Sequence, residues 1–268
     1  MSFSQTVARF NGGLSSVNEK SHVGDLLQDA GKLTAADAEH VCVVQKTENL
    51  RFGEAALKLG LITEVDLQQA LSRQFSYTYL APGEGDLSPE LISAYQPFGH
   101  QVEKFRALRS QLMLRWFSRG NKILTLAGIH PGDGTSYLAA NLAIVFAQLG
   151  ERTLLIDADL RQPRQHALFN LGNRAGLSDF LAGRASTTAV VHLPAIPNLS
   201  ILTSGAVPPN PAELLSRSTT SAQLEDLSLH YDVVLLDTSA VEGSSDAAMV
   251  AAHGKGALLV LQIGRAHV

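Results

Sequence analysis

The sequence predicts an α/β protein: a parallel sheet flanked by helices, preceded by a small all-helical repeat domain. Three observations predict it. The first 98 residues carry an internal repeat with helical periodicity. From about residue 103, short apolar runs alternate with helical patterns, the signature of parallel strands joined by crossover helices. One of those runs, Lys122 to Gly128, leads straight into a glycine-rich turn that opens another helix.

Composition bounds the rest. A chain of 268 residues with 45% hydrophobic and 17% charged residues can bury one large core or two modest ones. The formal charge of −4 argues against a dedicated nucleic-acid binder. The single cysteine, Cys42, excludes an internal disulfide, fits a reducing cytoplasm and is expected to be a buried, inert thiol. No apolar run approaches the roughly 20 residues that span a bilayer. The stretch from Met1 to Lys20 has no apolar core of a secretory signal and is expected to be a flexible tail.

The repeat domain is expected over residues 22–98. Gly24, Gly31, Leu33, Asp37 and Gln45 recur 29 positions later as Gly53, Gly60, Ile62, Asp66 and Gln74. Thr34 and Thr63 read as N-caps, each with an acid three residues on, at Asp37 and Asp66. Two helical hairpins stacked on each other follow, with Leu26, Leu27, Leu57, Leu59, Leu67, Ala70 and Leu71 as their shared core. The stretch from His22 to Gln74 resembles the N-terminal domain of type II secretion and pilus assembly ATPases, one branch of which binds cyclic di-GMP. The second copy opens Arg51-Phe52-Gly53, near that branch's R-L-G; the first opens His22-Val23-Gly24. The resemblance implies cyclic di-GMP as a regulatory ligand at His22, Gly24, Gly31, Gln45, Arg51, Gly53, Gly60 and Gln74. The alternative is that the glycines only shape turns and Arg51 is a solvated surface residue. Pro82, Gly83, Gly85, Pro89 and Pro97 punctuate a connection, with the boundary near residues 97–100.

The second domain, residues 99–268, begins with a helix from Glu103 to Phe117 that sets Phe105, Leu108, Leu112 and Trp116 on one face. Strands are expected at Lys122–Gly128, Arg152–Ile156, Leu199–Leu202, Asp232–Leu236 and Ala257–Leu261. Helices are expected at Ser136–Leu149, Pro211–Leu215, Ser221–His230 and Ser245–Ala252. Val233 to Leu236 and Leu258 to Leu261 read as strands buried on both faces. At Pro211, Asn210 should cap, proline should take the first helical position and Glu213 should close a capping box.

The turn Pro131-Gly132-Asp133-Gly134-Thr135-Ser136 reads as a phosphate-cradling loop. Against the P-loop pattern G-x-x-x-x-G-K-[ST], Gly134 and Ser136 fall in register, whereas Thr135 replaces the lysine and Ile129 the first glycine. The backbone N–H groups and the positive end of the following helix still suit an anion, with Gly132, Asp133, Gly134, Thr135, Ser136 and Tyr137 as its cradle. Two further apolar runs end in acids: Leu154-Leu155-Ile156 in Asp157-Ala158-Asp159, and Val233 to Leu236 in Asp237. Ligands of open parallel sheets bind outside the carboxyl ends of the strands, so these groups should converge. Carboxylates with the Ser136 hydroxyl beside phosphate make a Mg²⁺ site, and the fold is P-loop NTPase-like.

These motifs resemble those of the bacterial protein-tyrosine kinases (BY-kinases) of capsule and exopolysaccharide biosynthesis, in the branch carried next to chain-length determinants. The similarity runs from Glu103 to about Leu261. It rests on Asp157-Ala158-Asp159-Leu160-Arg161, on Glu103-x-x-Arg106-x-x-Arg109, and on the run from Gly205 to Leu215. The resemblance implies ATP and Mg²⁺ as cofactors, with Ser136, Asp159 and Asp237 around the metal. It gives Asp157 as the base for a tyrosine hydroxyl, in a role that can exchange with Asp159, and Arg161 facing phosphate or a neighbouring subunit. Glu103, Arg106 and Arg109 would build a homo-oligomer; the alternative for them is a solvated helix face. A membrane-bound polysaccharide chain-length determinant protein is the implied partner, with the chain cytoplasmic and peripheral to the inner membrane through it.

Three departures weigh on catalysis. Thr135 lacks the cation that stabilises the transferring group, an effect of about 3 kcal/mol or more. Ser239 and Ala240 stand where the family usually has prolines. The family's C-terminal tyrosine cluster is absent, Tyr77, Tyr79, Tyr95, Tyr137 and Tyr231 being scattered. The closing residues 263–268 read like translated adapter sequence, so the native C-terminus is expected to be missing. The alternative function is a catalytically impaired nucleotide-binding scaffold, or a cyclic di-GMP-responsive adaptor of the same machinery. A partition-type ATPase is disfavoured by the acidic balance and by leucine and arginine after Asp159.

Overall fold

The computed structural model describes residues 22–74, 79–80 and 85–262. Contacts divide the chain into two compact units, Met1–Tyr77 and Thr78–Val268. The division falls N-terminal to the boundary expected near residues 97–100. Residues after 79 bond into the second unit: Leu80 N–H to the Ala94 carbonyl and Ser88 N–H to the Leu168 carbonyl. The expected N-terminal tail and the adapter-like ending lie outside the described residues.

The first unit is two helical hairpins, α1 (Val23–Asp29) with α2 (Ala35–Glu48), and α3 (Phe52–Lys58) with α4 (Glu64–Gln74). The repeats exchange partners: α1 packs on α4 and α2 on α3. Thr34 and Asp37 form a reciprocal cap, as do Thr63 and Asp66, where the Thr63 N–H donates to Asp66 Oδ2 at 2.9 Å and the Asp66 N–H to Thr63 Oγ1 at 3.2 Å. Lys32 adds an ion pair to Asp66 at 2.8 Å. Together with Thr63 it holds the Asp66 carboxyl down to about 2. Leu27 and Ala70 join Leu33, Val41, Ala55, Ala56 and Ile62 in the core, with Leu26, Leu57, Leu59 and Leu67 packed against it. Leu71 is only half-buried, and Cys42 is exposed on α2, contrary to expectation.

The second unit opens with α5 (Ile92–Tyr95) and α6 (His100–Arg115). A six-stranded sheet follows, built from β1 (Ile123–Gly128), β2 (Thr153–Asp157), β3 (Val191–His192), β4 (Leu199–Leu202), β5 (Val233–Asp237) and β6 (Ala257–Val260). The spatial order is β3-β4-β2-β5-β1-β6, parallel throughout except that β3 runs antiparallel to β4. A two-residue strand carries no period, which is why β3 escapes sequence reading. Between the strands lie α7 (Thr135–Gln148), α8 (Gln165–Leu168), α9 (Leu177–Leu181), α10 (Pro211–Leu215), α11 (Ser218–Ser228) and α12 (Asp246–Gly254).

Two apolar layers sandwich the sheet. One gathers Ala139 to Ala147 of α7 with Leu91, Val102 and Phe105; the other holds Leu177, Leu214, Leu215, Leu224 and Val250. Asn141, buried in α7, accepts from the Ser93 N–H and donates to the Glu90 and Tyr137 carbonyls, so its polarity is fully used.

Two local expectations in the second unit fail. β6 is an edge strand whose residues alternate in exposure, and Leu259 is 55% exposed, so it is not covered on both faces. Asn210 precedes α10 with Pro211 at its start, but its side chain makes no cap bond. No helix among the described residues is long and apolar enough to cross a membrane.

Candidate functional site

The cradle is shaped by glycines. Gly132 and Gly134 both sit at φ +85°, in the left-handed region that disfavours side chains, and Gly134 is the residue from which α7 springs. A Cβ on Gly128 would stand 2.6 Å from Thr135 Oγ1, so only glycine lets the end of β1 lie this close to α7. The turn is tied internally: the His130 N–H donates to Asp133 Oδ2 at 2.8 Å, and the Asp133 N–H returns to the His130 carbonyl. The first N–H groups of α7 have no partners within their own helix and carry its positive dipole end.

The acids come from strand ends. Asp157 and Asp237 are register partners at the close of β2 and β5, and both are fully buried. Asp157 Oδ2 accepts from the N–H groups of Arg164 at 3.1 Å and Gln165 at 2.9 Å. Asp237 Oδ2 accepts from Gln165 Nε2 at 2.7 Å. The Oδ1 atoms of both are buried without a hydrogen-bond partner. Burial first, then the Asp237 charge, pushes the Asp157 carboxyl well above the ordinary range. Burial pushes Asp237 up to about 7, against the pull of the Gln165 amide and the Ser136 hydroxyl. Such a pair calls for a cation, and an oxygen-rich site beside a phosphate cradle suits Mg²⁺.

Above them opens a cleft of about 260 Å³, lined by Gly132, Gly134, Thr135, Ser136, Asp159 and Arg161, together with Arg164, Ser239 and Glu242. Asp159 Oδ1 accepts from the N–H groups of Arg161 and Gln162. Arg161 donates through Nε and Nη2 to Asp246, at 2.6 and 3.2 Å. His130 Nδ1 lies 2.7 Å from Glu242 Oε2, joining the cradle to the loop after β5.

Not every expected group reaches the cleft. Asp157 and Asp237 lie beneath it. Among the described residues, no three His, Cys, Asp or Glu side chains form a metal-ready cluster, and Asp157 and Asp159 each accept from backbone N–H groups. Asp133 spends Oδ2 inside its own turn. Tyr137 faces away and packs edge-on against Phe105, with ring centroids 5.9 Å apart. On α6, Glu103 and Arg106 pair with each other, and Arg109 Nη1 donates to the Val145 carbonyl at 2.9 Å.

Gln165, buried, was not foreseen. It bridges the Ser136 carbonyl and Asp237, and nothing in its spacing from Asp157 signals this. Arg164 and the His130–Glu242 pair were likewise missed.

In the first unit, His22, Gly24, Gln45 and Gln74 line a groove of about 720 Å³ with Phe52 and Cys42. Gly31 and Gly60 sit at φ +68° just beyond α1 and α3, and Gly53 presses on Leu67, so these three have structural work. The Arg51 side chain is exposed at the start of α3.

The family model of the cellulose biosynthesis protein BcsQ matches residues 121–266. The tyrosine-protein kinase YwqD of Bacillus subtilis is 37% identical over 65% of this chain and 74% of its own length. The putative tyrosine-protein kinase CapB of Staphylococcus aureus is 36% identical over 59% of this chain and 70% of its own length. The tyrosine-protein kinase etk of Escherichia coli, 39% identical, is matched over only 24% of its length. Among solved structures, the chimerical protein CapA2B2 superposes with a TM-score of 0.63 at 32% identity, covering 74% of this chain and 86% of that one. The kinase domain of E. coli ETK also gives 0.63, at 36% identity over 66% of this chain and 69% of that one.

Proposed function

This chain belongs to the bacterial tyrosine-protein kinase family, and from that premise we propose that it binds ATP with Mg²⁺ and acts as a kinase-like regulator of exopolysaccharide or capsule synthesis. The observation that carries the reading is the pair of buried, unpartnered oxygens of Asp157 and Asp237 under the amino end of α7. The cradle N–H groups of Gly132, Gly134, Thr135 and Ser136 hold phosphate, that of Asp133 being bonded within the turn. Ser136 and Asp237 hold the metal, with Asp159 at the cleft wall. Mg²⁺, when bound, neutralises the charge of the triphosphate. Asp157 is enclosed and already bonded to two N–H groups, whereas Asp159 lines the cleft. The second carboxylate is therefore the better placed to accept a proton from a tyrosine hydroxyl. Arg161, locked to Asp246, positions the wall rather than reaching for phosphate.

Calorimetric titration with ATP·Mg²⁺ tests the reading. Saturable binding that Asp237→Asn weakens at least about tenfold supports it. An absence of binding by the intact chain sinks it.

The second reading, a scaffold that binds nucleotide without transferring phosphate, is favoured by Thr135, whose neutral side chain stands where the motif has lysine. Thr135→Lys separates the two: autophosphorylation gained only on that substitution marks an impaired enzyme. The family resemblance carried by residues 103–261 points to a membrane-bound chain-length protein as partner, which would hold this chain at the cytoplasmic face of the inner membrane. Self-association through Glu103, Arg106 and Arg109, and cyclic di-GMP in the groove lined by His22, Gly24, Gln45 and Gln74, complete the proposal.

A further inference from the structure

Loss of the lysine leaves the triphosphate site short of a cation, and the cleft contains two guanidinium groups that differ in how firmly they are held. Arg161 makes a two-pronged pair with Asp246, whose side chain is 2% exposed. Withdrawing it would strand a buried carboxylate, a costly step. Arg164 instead donates through Nη2 alone to the two oxygens of Glu90, at 3.0 and 3.2 Å. Those side chains are 49% and 45% exposed, so water can replace either partner and the pair is weak. The root of Arg164 is nonetheless fixed, because its N–H donates to Asp157 Oδ2. Its charge is also felt at Asp237. A mobile cation on an anchored backbone, at the wall of the cleft and beside the carboxylate pair, suits capture of an incoming polyanion.

We propose that Arg164 supplies the cation that Thr135 lacks: its guanidinium leaves Glu90 and pairs with phosphate oxygens of a nucleoside triphosphate in the cleft. Glu90 is then an internal stand-in for that anion, occupying Arg164 while the cleft is empty and competing with nucleotide for it. The inference rests on the nucleotide-binding reading above.

The test is equilibrium binding of ATP·Mg²⁺ to the full chain and its variants, with thermal unfolding to check folding. Arg164→Gln should bind about tenfold more weakly or worse, since a charge-assisted contact is lost. Glu90→Gln should bind roughly threefold tighter, because the competing ion pair is gone. A purely structural role for the pair predicts the opposite sign for Glu90→Gln. Thr135→Lys placed in the Arg164→Gln background should restore affinity. If the wild-type chain binds and Arg164→Gln binds equally well, or if both single variants weaken binding alike, the assignment of Arg164 is wrong while the nucleotide reading stands. If the wild-type chain does not bind ATP·Mg²⁺, both fall together.

Discussion

Asp157 and Asp237 face each other in register across β2 and β5, and each keeps one carboxylate oxygen buried with no hydrogen-bond partner. Two acids in such a place repel, and both are disfavoured in their charged form.

A pH dependence follows for the metal-free protein. Asp237 titrates near 3.8 when unfolded and at about 7 when folded, so the native state binds its proton more tightly. Its contribution to stability is full below pH 3.8 and is lost as pH rises toward and through 7. Asp237→Asn should flatten this slope and, in EDTA at pH 8, stabilise the fold by on the order of 2 kcal/mol. Thermal melts across pH, with and without Mg²⁺, check both, and Mg²⁺ should rescue only the wild type.

Gln165 fastens three parts of the site through one amide, bonding the Ser136 carbonyl at 3.1 Å and Asp237 at 2.7 Å. Gln165→Leu keeps most of the volume and removes both donors. A loss of about 2 kcal/mol in chemical denaturation is expected, with weaker nucleotide binding. Gln165→Glu should be worse, since it adds a third acid to the pair.

Gly128→Ala should drive a methyl group into Thr135 Oγ1. The expected loss is about 1–3 kcal/mol, from overpacking. Adding Thr135→Ala removes the obstructing oxygen, so the double variant should recover much of that stability. Strict additivity in a double-mutant cycle would contradict the proposed contact.

Acid should loosen the first unit through Asp66. Its carboxyl falls from 3.8 to about 2 on folding because of Lys32 and Thr63. Its stabilisation is complete above pH 3.8 and fades as pH drops toward 2. Asp66→Asn should cost about 1 kcal/mol at neutral pH. Hydrogen exchange of the α4 amides measures the change.

Much of this architecture is legible in the sequence. Continuous apolar runs such as Leu154 to Ile156 and Val233 to Leu236 read as strands, and the acid directly after each of these two lands at the carboxyl rim. The repeat showed itself because Thr34 and Thr63 need the same cap chemistry. Elements without period or cap were invisible: β3, α8 and α9 are each too short. Leu258 to Leu261 resembled a core strand because apolarity does not reveal whether a strand lies at a sheet's edge. Cys42 and Tyr137 failed because side-chain direction depends on packing with distant helices. Gln165 and Arg164 were hidden for a different reason: their partners, Asp237 and Glu90, are 72 and 74 positions away.

β5 lies between β1 and β2, although more than 70 residues of chain separate β2 from it. The two earliest strands therefore never touch, and the gap between them is filled only by a latecomer. Of the carboxylate pair beneath the cradle, Asp157 closes β2 and precedes β4 in the chain, whereas Asp237 closes β5 and follows it. The pair under the cradle thus joins strands far apart in sequence, and contacts at such separation are the kind that slow folding.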